Sequence, residues 1–179
     1  MKYCPGRRRF LQTAAMALPL AAATGLVMAT PGEPRRLRFY HTHTEEKLDV
    51  VYHEDGAYLP DALRELDHLL RDFRSGDVVG IDSALLDFLH ASQQRLGSKG
   101  TYEIISAYRS PATNEWLRRR GGGVAKRSMH LQGRAIDVRL TGVDTRDLRR
   151  AARELARGGV GYYAKSDFVH LDPGRVRWW

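Results

Sequence analysis

The chain has 179 residues, 42% hydrophobic and 28% charged, with 29 Lys and Arg against 21 Asp and Glu for a formal net charge of +8. That length supports one domain with a real core, and a single cysteine, Cys4, excludes a disulfide framework or a thiolate metal site. A positive balance admits an anionic partner, and where the charge lies along the chain decides which one.

The first 29 residues stand apart. Lys2, Arg7, Arg8 and Arg9 precede an apolar, alanine-rich run from Phe10 to Ala29 that contains no acidic residue. Val27-Met28-Ala29 places small residues where a signal peptidase cuts, so residues 1–29 are expected to be a signal peptide and 30–179 the mature domain. The alternative is a retained anchor, because the run is close to spanning length. Arg7-Arg8-Arg9-Phe10-Leu11 resembles a twin-arginine export signal, although Gly6 stands where Ser or Thr is usual. Either route leads out of the bacterial cytoplasm, so a periplasmic or otherwise exported protein is expected, with no stable membrane association after cleavage. Cleavage removes Cys4 and four basic residues, and 25 − 21 leaves +4. That balance argues against a nucleic-acid binder and suits an anionic cell-wall polymer; any metal must be held by His and carboxylates.

Leu37 to Tyr52 is predicted as one or two strands around His41-Thr42-His43. Two histidines at i and i+2 share a strand face and could bind a metal, but a polar edge strand is the more ordinary reading, with His43 left as a cleft candidate. Leu59 to Phe73 carries an apolar stripe at helical spacing with Pro60 in its first turn, and Asp82 to Leu96 repeats the pattern between an Asp82 or Ser83 cap and Gly97. Both read as scaffold. Thr101 to Tyr108 is predicted as a strand that leads through Arg109 into a helix over Ala112 to Arg120. An arginine at such a turn can hold a carboxylate or a polarised carbonyl, or be an ordinary surface residue. The glycines 121–123 lack the strand-loop-helix setting of a phosphate loop, and Lys126 and Arg127 follow them.

The segment from Ser128 to Val138 holds the chemistry. From Ala135 onward Ile136, Val138 and Leu140 alternate with Asp137 and Arg139, the period of a half-buried strand. Gly133 lets the chain bend, so that His130 folds back over the face that carries Asp137. An imidazole and a carboxylate converging on one point are two of the three ligands a catalytic zinc needs, and His170 in Asp167-Phe168-Val169-His170 is a candidate third. By itself a His–Asp pair is more often a surface hydrogen bond. Asp144 to Arg157 is predicted as an amphipathic helix stopped by Gly158-Gly159; 160–163 and 168–171 are predicted as a hairpin, with Val176 to Trp179 a candidate last short piece. Strands and helices mix without regular alternation, so the expected fold is a single α+β domain, an antiparallel sheet carrying the zinc site and flanked by helices.

Together, Ser106-Ala107-Tyr108-Arg109-Ser110, Ser128-x-His130-x-x-Gly133-x-Ala135-x-Asp137 and Asp167-x-x-His170 resemble the signatures of the zinc peptidases that cleave bacterial wall peptides. These are the D-Ala-D-Ala carboxypeptidases and dipeptidases and their murein endopeptidase relatives, within a superfamily that includes lysostaphin-type enzymes and the Hedgehog domain. The resemblance is closest to the exported murein endopeptidase K type and extends over nearly the whole mature chain. It implies that His130, Asp137 and His170 bind Zn2+, with an open position for water. It places Asp167 where the carboxypeptidases carry the general-base glutamate, one methylene shorter. It makes Arg109 the residue that holds the substrate carbonyl and stabilises the oxyanion, and puts Ser128 beside the substrate, fixing the loop of His130. Asp172, two residues past His170, is a candidate acceptor for a ligand histidine. The implied activity is zinc-dependent endopeptidase cleavage of peptidoglycan cross-links; D-Ala-D-Ala carboxypeptidase action and a non-hydrolytic zinc-containing wall-binding module are the alternatives. No oligomeric state is indicated.

Overall fold

Among the described residues eight strands, numbered β1 to β8 along the chain with the ranges below, make one sheet in the order β3-β2-β1-β4-β5-β7-β6-β8, with helices packed against it. The computed structural model describes Met1 and residues 32–121 and 124–179, so the expected signal peptide (with Cys4) and glycines 122–123 lie outside the described residues. The described residues from 32 onward fall in one compact unit.

Strands β1 (Arg35–His41) and β2 (Lys47–Glu54) form a hairpin, and the two-residue β3 (Ala57–Tyr58) extends it. Helices α1 (Pro60–Leu69) and α2 (Ser83–Leu96) follow, then β4 (Tyr102–Ser106) and α3 (Pro111–Arg119). The chain continues through β5 (Ile136–Leu140), α4 (Thr145–Leu155), the β6 (Gly159–Tyr163) and β7 (Phe168–Asp172) hairpin, and β8 (Arg177–Trp178).

The sheet is mixed rather than purely antiparallel, a correction to the sequence reading. Strand β4 runs parallel to β1, and β8 parallel to β6. A helix-bearing crossover, here α1 and α2, is what a parallel neighbour requires. At the other edge two successive reversals, β6 to β7 and β7 to β8, restore the original direction.

Caps lie where local chemistry puts them. Asp82 accepts a hydrogen bond from the Ala84 amide to start α2, and Gly97 ends it in the left-handed region at φ 60°. Ser110 and Asp144 cap α3 and α4 in the same way. Helix α1 stops at Leu69, short of the expected Phe73, because the buried Asp72 gathers the chain into a turn: its carboxylate accepts from the Arg74 and Ser110 amides. Burial opposes ionisation of Asp72, yet bonds from Thr113 and from those backbone amides hold its pKa at about 2.

The buried apolar strand positions share one face of the sheet. Leu37, Phe39, Ile104, Ile136, Val138, Val169 and Leu171 meet Leu66, Leu85, Leu86, Leu89 and Leu148 from the helices, all essentially inaccessible. Each such side chain contributes roughly 1.5–3 kcal/mol. His41 lies on this side too, against Phe73, so it is a buried residue at the end of an interior strand rather than part of a polar edge. His43 stacks on Phe73 at 4.2 Å. With the helices on one face, the opposite face of β5, β6 and β7 is left for the site.

Candidate metal centre

Asp137 on β5 and His170 on β7 are directly opposite each other across the ladder, which brings their side chains together on the helix-free face. A β-bulge in β4 completes that face. Ile104 pairs with Val138 but Ser106 pairs with Asp137, so one extra residue turns Ser106 from the core side to the side of Asp137. Ser106 Oγ then accepts from Arg109 Nε at 2.8 Å.

His130 arrives on a one-turn 3-10 helix, Met129–Gln132. Ser128 caps that turn by accepting the His130 amide, and Gly133 closes it at φ 65°. A Cβ at Gly133 would lie 2.6 Å from the Gly80 carbonyl oxygen, so glycine is required both by the backbone conformation and by the close approach. The amide of Arg109 donates to the His130 carbonyl, binding this turn to the end of β4.

The three side chains are buried, and one ligand atom from each lies within 4.8 Å of the others. Their hydrogen-bond partners decide the tautomers. His130 Nδ1 is 2.5 Å from the Ala107 carbonyl, which can only accept, so Nδ1 carries the proton and Nε2 the lone pair. His170 Nε2 is 3.0 Å from Asp172 Oδ2, and Asp172 is also held by both terminal nitrogens of Arg177. That carboxylate therefore accepts from Nε2–H and leaves His170 Nδ1 as the lone-pair nitrogen. The two lone-pair nitrogens face each other at 3.2 Å, with Asp137 Oδ1 2.9 Å from one and 3.3 Å from the other. Three electron pairs converging at these distances call for a cation. Two imidazoles and a carboxylate, each imidazole with its second nitrogen tied to an oxygen, fit zinc.

The electrostatics agree. Burial alone would oppose ionising Asp137, but the two imidazoles hold its carboxyl far below the usual carboxylate range. Burial lowers the His130 pKa; it acts on His170 too, but is outweighed there by the bonds to Asp137 and Asp172, which raise it. Arg109 Nη2 donates to Asp137 Oδ2 at 2.6 Å and lies 3.2 Å from His130 Nε2, so its cation borders the cluster directly.

The cluster forms the floor of a cleft of about 500 Å³. Arg109, Arg127, Ser128 and Arg177 supply polar walls, and Met129, Tyr163, Phe168 and Trp179 apolar ones. Trp179 lies over Gly161 and 5.3 Å from the His170 ring, and a Cβ at Gly161 would meet the indole at 2.6 Å.

Asp167 is elsewhere. It occupies the β6–β7 turn at φ 50°, accepts from Thr145 Oγ1 at 2.8 Å, and has its backbone carbonyl bonded to Arg139. Strand alternation puts Phe168, His170 and Asp172 on the cleft face, so Asp167 in the preceding turn faces the start of α4. It does not line the cleft, where Asp137 is the sole carboxylate among the described lining residues. The expected residues that do come together are Arg109, Ser128, His130, Asp137 and His170. Sequence reasoning gave no role to Ser106 and Ala107, which it quoted only within the motif, or to Arg177 and Trp179, at which the run of basic and aromatic residues in 174–179 hinted.

A mixed sheet presenting a buried His–Asp–His cluster at the floor of an arginine-rimmed cleft defines a candidate mononuclear metal centre. The family model described as peptidoglycan L,D-endopeptidase MepK matches residues 29–179. The chain is 37% identical over 180 residues to peptidoglycan L,D-endopeptidase MepK of Escherichia coli K12, covering 99% of each chain. It is 38% identical over 177 residues to probable peptidoglycan L,D-endopeptidase MepK of Haemophilus influenzae, covering 97% of this chain and 95% of that one. A solved structure, that of Serratia marcescens L-Ala D-Glu endopeptidase ChiX, matches 44% of this chain and 63% of its own at 23% identity and a TM-score of 0.35, a likeness too small to carry an argument. The chain belongs to the peptidoglycan L,D-endopeptidase MepK family.

Proposed function

We propose that this protein is an exported zinc-dependent endopeptidase that hydrolyses peptide cross-links of peptidoglycan, with the bond between two diaminopimelate residues as its target. The observation that carries this reading is the pair of lone-pair nitrogens, His130 Nε2 and His170 Nδ1, facing each other at 3.2 Å beside Asp137. Bound there, zinc supplies Lewis acidity toward a carbonyl and a source of hydroxide near neutral pH. The chain's own residues do the rest. Ala107 and Asp172 hold the two imidazoles in the tautomers that bind metal. Arg109, anchored through Nε to Ser106 and through Nη2 to Asp137, borders the cluster with a fixed guanidinium that can bind the scissile carbonyl and the negative charge that develops on it. Ser128 keeps the turn of His130 in place. Tyr163, Phe168 and Trp179 form the apolar side of the cleft, against which a peptide stem can pack.

Digestion of purified peptidoglycan, with and without added zinc and with His130→Ala as control, tests this. The expected result is loss of cross-linked muropeptides only with zinc and intact His130, the product masses naming the bond. A second reading, a zinc-retaining module that binds wall peptides without cutting them, draws on one observation: Asp137 is the sole acid lining the cleft among the described residues, and Asp167 faces away from it. Zinc-loaded, folded protein that binds muropeptides and releases no product would select it.

A further inference from the structure

A second groove lies on the helix-covered side of the sheet. Helix α4 presents Arg146, Arg149, Arg150 and Arg153 at the i, i+3, i+4, i+7 spacing of one helical face, and together with Glu154 and Trp178 they line a groove of about 540 Å³. Arg149 lies over the Tyr162 ring at 5.1 Å and Arg153 over the Trp178 ring at 4.9 Å, so an aromatic ring backs each guanidinium. Among the described residues Arg150 pairs with Asp147 and Glu154 with Arg95, whereas Arg146, Arg149 and Arg153 form no salt bridge. The Nε of Arg149 is buried without a hydrogen-bond partner. Guanidiniums gathered in a concave groove, three of them without a carboxylate partner among the described residues, match carboxylates bidentately.

We infer that this groove is an exosite for the carboxylates of a peptide stem in the cross-linked wall, distinct from the stem being cut. The inference rests on the peptidoglycan reading above. Strand β8 joins the two sites: Trp178 lines the groove while the next residue, Trp179, lines the cleft, because successive side chains leave a strand on opposite faces. The sheet and α4 separate the sites, so a single small cross-linked dimer in the cleft cannot also fill the groove, whereas a polymer with many stems can. A flat anionic bilayer is the poorer fit. The apolar face of α4 is buried through Leu148, Ala151 and Ala152, so among the described residues the helix offers no apolar stripe to insert, and the half-exposed Trp178 stands alone beside it.

The test compares wild type, Arg146→Gln/Arg149→Gln/Arg153→Gln, and Arg146→Gln/Arg150→Gln, the last altering only exposed side chains. Each is measured for co-sedimentation with intact sacculi, for cleavage of a purified soluble cross-linked dimer, and for binding to phosphatidylglycerol vesicles. The triple variant should bind sacculi roughly tenfold more weakly or worse, and the double variant in the same direction, with dimer cleavage unchanged. Unchanged sacculus binding, equal loss on dimer and sacculi, or arginine-dependent binding to vesicles in place of sacculi would each overturn the exosite. Should no form cleave the dimer while sacculus binding still depends on these arginines, the hydrolase reading falls and the exosite stands.

Discussion

His170 is held from both sides, and that pairing sets what each surrounding residue does. Its Nδ1 faces Asp137 and its Nε2 donates to Asp172, whose own charge is balanced by Arg177. A carboxylate behind a ligand histidine fixes the ring and raises its basicity, so Asp172→Asn should weaken zinc affinity about 10- to 100-fold in a chelator competition while the fold persists. Arg109 and Asp167 separate just as cleanly. Arg109→Ala removes the guanidinium in contact with Asp137 and should lower kcat by about 10²–10³, read in the dimer-cleavage assay. Asp167→Ala breaks a turn contact to Thr145 at some distance from the cluster, so kcat should stay within about threefold while urea denaturation shows a loss of roughly 1 kcal/mol. A loss of kcat for Asp167→Ala as large as that for Arg109→Ala would return Asp167 to the role of base.

Among the elements, the 3-10 turn Met129–Gln132 depends most on a single residue. Gly133 ends it with a positive φ and packs against Gly80. Gly133→Ala puts a side chain in the left-handed region and against a backbone oxygen, which should cost roughly 2 kcal/mol or more in urea denaturation and loosen zinc binding by displacing His130. The bulge in β4 has a comparable role. Without the extra residue Ser106 would face the core and Arg109 would lose its anchor at Nε. A one-residue change of register thus decides whether an arginine at the end of β4 is a surface residue or part of the centre.

For the molecule as a whole, the division of the sheet into a helix-covered face and a bare one separates stability from chemistry, and His41 belongs to stability. Its ring is buried against Phe73, with Nδ1 accepting from the His43 and Thr44 amides. Burial, aided by the nearby His43 and Arg71 and opposed by Glu46, lowers its pKa to about 4. The unfolded chain takes up that proton below about pH 6.5. His41 therefore contributes fully above that value, and stability falls as pH drops toward 4, by up to about 1.4 kcal/mol per pH unit. Denaturation at pH 7 and pH 5 should show the difference, and His41→Gln should reduce it; an unchanged pH dependence would remove His41 as its source.

Much of this molecule was legible one segment at a time. The alternation after Ala135, the cap at Asp82 and the chain-bending glycines at 97 and 133 follow from backbone geometry and side chains a few residues apart, as do the caps at Ser110 and Asp144 that the sequence reading left unassigned. His130 and Asp137 were likewise visible in the sequence, because their spacing and the intervening glycine are local, whereas His170 was only a candidate supplied by its motif and the family resemblance. Only the tertiary structure decided that β4 lies parallel to β1, that Ala107 sets the His130 tautomer, that His170 is the histidine whose ring Asp172, already a candidate acceptor in the sequence, holds, and that Trp179 covers His170. It also turned Asp167 toward Thr145. These features depend on strand order, on one bulge, and on which face a turn residue takes. Each is set by contacts between segments far apart in the chain, which local periodicity does not encode.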